Sequence, residues 1–138
     1  MKILFEVPGE AVGKGRPRFA RQGAFVRAYS PEKTVSYENK IKAAARIAMN
    51  GAEPFVEAMQ CTIFISATPA QSWSKKKQQE AIAQVLKPTK KPDLDNIGKI
   101  YLDALNGIAW IDDKQVVKLS IEKQYGKSDF VSVEIGPA

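Results

Sequence analysis

The sequence contains no histidine and a single cysteine, Cys61. Without histidine, the chain cannot form a Ser-His-Asp triad, use an imidazole as a general acid or base, or bind a metal through an imidazole nitrogen. A lone cysteine also excludes an internal disulfide bond and a cysteine-rich zinc site. Any catalysis by this chain must therefore depend on carboxylates, lysines, hydroxyl groups or a bound metal ion.

Long hydrophobic runs are missing as well. No stretch approaches the ~20 apolar residues that span a bilayer, and Glu6 and Pro8 interrupt the apolar start of the chain, which does not resemble a signal peptide. The length of 138 residues and the hydrophobic share of 44% are typical of one soluble globular domain. The lack of export signals and disulfides predicts a cytoplasmic protein that does not contact the membrane.

The pattern of apolar residues predicts strands segregated from helices, which favours an α+β fold over a doubly wound sheet. We expect one long helix from Ser30, as its N-cap, to about Met49, and a short helix capped by Ser72 or Ser74. A second long helix is expected over 96–106, and Trp73 and Trp110 are expected in the core or an interface. The short helix is predicted over 75–85, and residues 8–30 are predicted to form a long loop or an irregular hairpin around residues 22–23. Strands are predicted over 2–7, 56–67, 115–125 and 129–135.

Charges of each sign are concentrated in separate segments of a chain whose formal net charge is +6. Residues 12–50 contain nine basic and two acidic residues, and residues 75–91 contain six lysines and one glutamate. Residues 93–113 reverse this balance, with five aspartates and one lysine. The basic segments point to an anionic partner such as nucleic acid. The acidic segment requires solvation, capping roles or a neutralising cation.

The acidic segment places its carboxylates where they could converge. If residues 93–95 are extended, Asp93 and Asp95 point to the same side of the chain. Lys99 follows Asp95 by four residues, so one helical turn can bring its ammonium group over that carboxylate. Asp112 and Asp113 follow the predicted helix after a short turn and could supply a third carboxylate.

Such an oxygen-only cluster favours Mg²⁺ or Mn²⁺ over Zn²⁺. Beside a basic surface, a metal held by carboxylates could support phosphodiester hydrolysis, with Lys99 stabilising charge on the phosphate. In the alternative interpretation, Asp93 or Asp95 only caps the helix, and Asp103 pairs with Lys99 on the surface. The chain would then be a non-catalytic nucleic-acid-binding module.

Two other motifs are incomplete. Residues 9–15 resemble a phosphate-binding loop, but three residues instead of four separate Gly9 from Gly13, and neither Ser nor Thr follows Lys14. No nucleotide cofactor is therefore expected. The spacing from Asp93 also fails as a calcium loop, because Ala104 occupies the position of the bidentate glutamate.

Residues 90–117 resemble the signature of RusA-type Holliday junction resolvases. The matching motifs are, in order, Asp-Leu-Asp-Asn at 93–96, Lys99, Leu-Asp-Ala-Leu at 102–105, Asp-Asp at 112–113 and Gln-Val-Val at 115–117. The segments Gly-Lys-Gly-Arg-Pro-Arg-Phe at 13–19 and Tyr-Ser-Pro at 29–31 are similar to the opening of shorter bacterial and phage members. The resemblance covers most of the chain in matching order.

This resemblance implies a homodimer of one RusA-like endonuclease domain, residues 1–138, in which a small mixed or antiparallel sheet packs with two long helices. It implies a Mg²⁺-dependent endodeoxyribonuclease, with Mn²⁺ able to substitute, that resolves four-way junctions by paired symmetric nicks in DNA recombination and repair. The family is frequent in prophages, so either a bacterial or a phage gene fits. Asp112 is a further candidate ligand, and Asp103 fits the motif in a structural or a catalytic role. The implied catalytic residues are Asp93, Asp95, Lys99 and Asp113, of which the three aspartates would bind the metal.

The basic segments contain the candidate DNA contacts. Arginines interleaved with Phe19, Phe25 and Tyr29 suit phosphate contacts and stacking on unpaired bases at a junction centre. The alternative is a solvated loop with a few core aromatics. A nuclease for branched or flap DNA, without strong preference for four-way junctions, is a further alternative for the whole chain. The candidate DNA-binding residues are Lys14, Arg16, Arg18, Arg21, Arg27, Lys90 and Lys91.

Overall fold

The computed structural model describes residues 1–29 and 31–138, so the predicted N-cap residue Ser30 lies outside the described residues. The described part contains six strands, three α-helices and one 3₁₀ turn. The strands are β1 (Ile3–Pro8), β2 (Arg18–Gln22), β3 (Phe25–Tyr29), β4 (Met59–Ala67), β5 (Val116–Tyr125) and β6 (Phe130–Pro137). The helices are α1 (Glu32–Met49), α2 (Lys75–Ile82) and α3 (Leu94–Ala104), and the 3₁₀ turn is Asp113–Gln115.

Four of the strands form one mixed sheet in the order β1-β6-β4-β5. β6 is antiparallel to β1 and β4, whereas β4 and β5 run parallel, so Ile63 lies opposite Val133 on one side and Ile121 on the other. A parallel pair requires a crossover, which the segment containing α2 and α3 supplies. The predicted α+β fold with a mixed sheet is confirmed, and α1 and α3 are its two longer helices.

Helices cover one face of this sheet. In β1, Ile3 and Val7 are buried and Leu4 is 66% exposed, as the two-residue period of a strand requires. α1 packs against β1 and α3, and α3 packs against β5. Gly98 permits this approach, because a Cβ atom there would lie 2.8 Å from Cδ1 of Ile121. α3 is therefore held closely against the sheet by one face while its other face stays exposed.

The helix boundaries confirm one prediction and correct another. α1 ends where expected, because Asn50 adopts a left-handed conformation with φ of 48°. α3 begins at Leu94 instead of residue 96, because the N–H of Ile97 already donates to the carbonyl oxygen of Asp93 at 3.1 Å. The expectation that residues 93–95 are all extended is therefore wrong, and only the first of them is extended.

The segment between β4 and α3 contains α2. Ser74 caps this helix as predicted, since its side chain accepts a hydrogen bond from the backbone N–H of Lys77 at 3.2 Å. The helix ends at Ile82 instead of residue 85, shortly before Gln84, whose φ is 66°. Across residues 1–29 and 31–138, we find no helix with the length and apolar character needed to cross a membrane.

β2 and β3 form a separate two-stranded antiparallel hairpin. All five residues of β3 are exposed, and Phe19 and Phe25 are 71% and 78% exposed. The predicted irregular hairpin is therefore a regular ribbon, and these two aromatic side chains do not belong to the core. Six exposed aromatic or arginine side chains lie along this ribbon, a composition more typical of a binding surface than of a protein core.

Candidate active site

The exposed face of α3 carries the first part of the site. Asp95, Lys99 and Asp103 recur every four residues, so they lie one above another along one side of the helix. Asp95 and Lys99 are exposed and Asp103 is half-buried, whereas Ile97 and Ile100 are fully buried in the core. The helix therefore presents an ammonium group between two carboxylates.

Asp93 stands at the N-cap position of α3, yet its side chain makes no capping hydrogen bond. Its carboxylate is exposed, as is that of Asp95 in the first turn. The alternative in which Asp93 serves only as a helix cap is therefore not supported, because its side chain is not used for capping. The positive end of the helix dipole favours negative charge at this position even without a cap.

Asp112 has a structural role in the turn that follows. Its side chain accepts a hydrogen bond from the backbone N–H of Lys114 at 3.0 Å, and this bond lowers the pKa of its carboxyl group. The Oε1 atom of Gln115 accepts from the backbone N–H of Asp112 at 3.0 Å, which completes a capping box. The Nε2 atom of Gln115 donates to the carbonyl oxygen of Phe55 at 2.8 Å. These bonds fix the turn to the loop before β4.

Asp113 projects from this turn towards α3. Partial burial raises the pKa of its carboxyl group, and hydrogen bonding to Asp112 and Asp103 together with their negative charge raises it further. The fold therefore brings the C-terminal part of α3 next to the second acid of the Asp-Asp pair. No local pattern in the sequence predicts this proximity, because Asp103 and Asp113 meet through the packing of the turn against α3.

The predicted triad of Asp93, Asp95 and Asp113 remains a prediction. Among the described residues, no group of three or more Asp, Glu, Cys or His side chains is arranged to hold a metal ion. The donor chemistry nevertheless fits a hard divalent cation, because exposed carboxylates are the available ligands and the chain has no histidine. The acids near Asp113 concentrate negative charge that a cation would neutralise.

A basic cleft of about 710 Å³ opens beside Asp93. The N-terminal segment that forms one wall is fixed to α3, because the backbone N–H of Lys14 donates to the carbonyl oxygen of Asn96 at 3.0 Å. Arg21 and Arg27, by contrast, lie on the exposed hairpin. The cleft therefore places basic side chains beside the acidic residues at the start of α3. Its other basic lining residues are Arg16, Arg18, Lys33 and Lys91.

The basic loop at residues 87–92 is fastened to β5. The Nζ atom of Lys123 donates to the carbonyl oxygens of Lys90 at 3.0 Å and Pro92 at 3.3 Å. The side chains of Lys90 and Lys91 are exposed. These hydrogen bonds hold the backbone that leads into Asp93 and leave both lysine ammonium groups accessible to an anion.

A model of the family described as Endodeoxyribonuclease RusA matches residues 8–136. The chain belongs to the RusA endodeoxyribonuclease family. The uncharacterized protein YqaN of Bacillus subtilis (strain 168) is 34% identical over 136 residues, which cover 96% of this chain and 94% of that protein. The resemblance found in the sequence is thereby confirmed. RusA proteins act on junction DNA, and membership implies nuclease activity. The matched range includes every candidate site residue.

Removing the charge of Asp113 should stabilise the metal-free RusA-family fold described here. The pKa of Asp113 is raised on folding, so its protonated carboxyl group favours the folded state more than the ionised one does. This contribution is complete below the unfolded pKa and is lost as pH rises through the folded pKa, where the carboxyl group ionises. At pH 7 and low salt, Asp113→Asn should raise Tm by about 1–3 °C. Thermal unfolding in EDTA measures this effect, which should vanish near pH 3. Asp112→Asn, at a group whose pKa is lowered, should give no such rise. A lower Tm for Asp113→Asn at pH 7 would contradict the placement.

Proposed function

We propose that this protein is a Mg²⁺-dependent, structure-selective endodeoxyribonuclease that resolves four-way DNA junctions by paired nicks. One observation carries the proposal. The two ends of α3 present exposed or half-buried carboxylates around Lys99, next to a basic cleft, in a chain of the RusA family. Such an enzyme would serve DNA recombination and repair.

In this proposal, Asp93, Asp95 and Asp113 hold the divalent cation, which can be Mg²⁺ or Mn²⁺. When bound, the cation would supply positive charge to the scissile phosphate and make a nearby water more acidic. Lys99 lies one turn from Asp95, and its exposed ammonium group can stabilise negative charge that develops on the phosphate. Asp112 stays in its capping role, and Asp103 orients Asp113.

The exposed hairpin is the proposed contact to the junction. By register, Arg18 lies opposite Tyr29 on one face of the ribbon, and Arg21 lies opposite Val26 on the other. A two-stranded ribbon can enter a DNA groove, and exposed aromatics can stack on bases that are unpaired at a junction. The cleft and the basic loop extend this surface. The proposed phosphate contacts are Arg16, Arg18, Arg21, Arg27, Lys90 and Lys91.

We also propose a homodimer, with β5 as its most suitable edge. β5 is the last strand in the sheet order, so its outer backbone groups have no partner strand within the sheet. Val117 is 65% exposed and Leu119 is 39% exposed on this ten-residue strand. Long edge strands with apolar side chains are prone to pair with another chain. A two-fold dimer would place two sites on opposite strands of a symmetric junction.

Comparing four-way, Y-shaped and linear DNA of equal length tests the proposed function. With Mg²⁺, we expect symmetric paired nicks in the four-way junction and at least about tenfold slower cleavage of the other two, since shape rather than sequence directs binding. Equal cleavage of Y-shaped DNA would indicate a general branched-DNA nuclease. Binding without cleavage, at any divalent cation concentration, would indicate a non-catalytic module and contradict the proposal.

A further inference from the structure

Lys14 has a different environment from the other basic residues of the N-terminal segment. Its Nζ atom lies 3.2 Å from Oε1 of Glu38 on α1 and 3.5 Å from Oδ2 of Asp103 on α3. Only 20% of its side chain is exposed, and the side chain of Glu38 is 15% exposed. Arg16 and Arg18, two and four residues later, are exposed. The ammonium group of Lys14 is therefore already paired inside the molecule.

The backbone around Lys14 is held from both sides. Its N–H donates to the carbonyl oxygen of Asn96 at 3.0 Å, and the N–H of Gly15 donates to Oγ1 of the buried Thr34 at 3.0 Å. A Cβ atom at Gly13 would lie 3.0 Å from Cβ of Asn96, so glycine lets the segment pass close to the start of α3. The segment therefore links α1 to α3, and for its lysine to reach a DNA backbone the ammonium group would have to leave Glu38 and Asp103.

Asp103 connects this link to the candidate active site. Its carboxylate interacts with that of Asp113, so two negative charges are close together at the end of α3. Like charges at short range repel each other. A nearby cation stabilises the close approach of the two carboxylates, which this repulsion would otherwise disfavour. Lys14 supplies that cation on the side of Asp103, and Glu38 in turn fixes the direction of the lysine side chain.

We propose that Lys14 is a positioning residue that acts through Asp103 to orient Asp113, and that it does not contact DNA. This inference rests on the proposed nuclease function and assigns Lys14 a role other than the phosphate contact expected from its sequence context. Glu38 is the second positioning residue, because it holds the ammonium group at the interface of α1 and α3.

Two readouts separate positioning from DNA contact. A phosphate contact contributes to affinity, and its loss should lower the slope of log K against log salt by about 0.9. A positioning residue should leave affinity and slope unchanged and lower the rate of the cleavage step. Loss of groups that orient a metal-binding side chain typically reduces activity about 10- to 100-fold.

The experiment measures junction binding with Ca²⁺ over a salt series and single-turnover cleavage with Mg²⁺. Lys14→Met should bind the junction within twofold of wild type and cut it about 10- to 100-fold more slowly. Arg16→Met should show weaker binding and a shallower salt slope. Lys2→Met, which removes the same charge at a residue paired with Glu134 (3.1 Å), should change neither quantity. Lys14→Arg should recover most of the cleavage rate, because it restores the positive charge.

A double-mutant cycle with Asp103→Asn decides whether Lys14 acts through that residue. The rate of Lys14→Met with Asp103→Asn should then be no lower than that of Asp103→Asn alone. Multiplied losses of cleavage rate in the double variant, or weaker binding and a shallower salt slope for Lys14→Met alone, would overturn the inference.

If wild type binds junctions without cutting them, the proposed function fails. The inference is then tested by the junction affinity of Lys14→Met and by the same double-mutant cycle measured as unfolding free energy in urea. Unchanged affinity with non-additive losses of stability would support it, and additive losses would overturn it.

Discussion

Asp93→Asn should abolish cleavage while preserving recognition of the junction. The asparagine keeps the size of the side chain and loses the negative charge that a divalent cation requires. The fold should tolerate the change, because this exposed side chain makes no capping hydrogen bond. We expect single-turnover cleavage with Mg²⁺ to fall by about 1,000-fold or more, with junction affinity within about threefold of wild type.

A matched variant controls for the loss of one carboxylate charge. Glu134→Gln removes a charge near the start of the chain, where Glu134 pairs with Lys2 at 3.1 Å. This variant should cut junctions at the wild-type rate. Full Mg²⁺-dependent cleavage by Asp93→Asn would contradict the proposed role of this residue and, with it, the assignment of the acidic start of α3 as the catalytic site.

Trp110→Ala should give the largest loss of stability. This side chain is fully buried, as predicted from the sequence, and its Nε1 atom donates to Oδ1 of Asn106 at 3.0 Å. Replacing it leaves a cavity and removes this hydrogen bond, which costs about 3–5 kcal/mol of unfolding free energy. Urea unfolding followed by circular dichroism measures this cost.

Trp73→Ala is the matched control for that measurement. Trp73 is half-buried, packs edge-to-face against Tyr125 with ring centroids 5.7 Å apart, and lies 4.1 Å from the Nζ atom of Lys77. Its removal should cost about 1–2 kcal/mol, because part of its surface is already in water. A smaller loss of unfolding free energy for Trp110→Ala than for Trp73→Ala would contradict the position of Trp110 in the core.

The two positions also differ in their expected effect on cleavage. Trp110 lies directly before the turn that carries Asp112 and Asp113, and the N–H of Gly107 donates to its carbonyl oxygen at 2.6 Å. Packing of this indole therefore fixes the path from α3 to Asp113. Trp73 has no such connection, so Trp73→Ala should keep the wild-type cleavage rate.

Local signals explain what the sequence predicted well. The Asn-Gly pair after α1 ends that helix because Asn50 tolerates a left-handed backbone. Two serines before a run of polar helix-forming residues, Ser72 and Ser74, predicted the cap of α2, and the structure selects Ser74. Alternating apolar residues identified β5 and β6 to within one or two residues. Each of these features depends on residues that are neighbours in the chain.

Non-local packing explains what the sequence did not predict. The parallel pairing of β4 with β5 depends on the crossover, and the pattern of apolar residues in either strand does not reveal it. The contact between Asp103 and Asp113 joins α3 to the turn that follows it, and the pairing of Lys14 with Glu38 joins residues 24 positions apart. Lys14 was predicted as a DNA contact from the basic segment that contains it, and composition carries no information about its pairing with Glu38 and Asp103.

The most direct measurement is the crystal structure of this protein with Mn²⁺ and an uncleaved four-way junction, with the ion located by anomalous scattering. We predict a Mn²⁺ ion about 2.1 Å from carboxylate oxygens of Asp93, Asp95 and Asp113, with a DNA phosphate beside Lys99. If the ion is absent from these carboxylates, and they remain far apart with DNA bound, the metal-dependent nuclease site proposed here is contradicted.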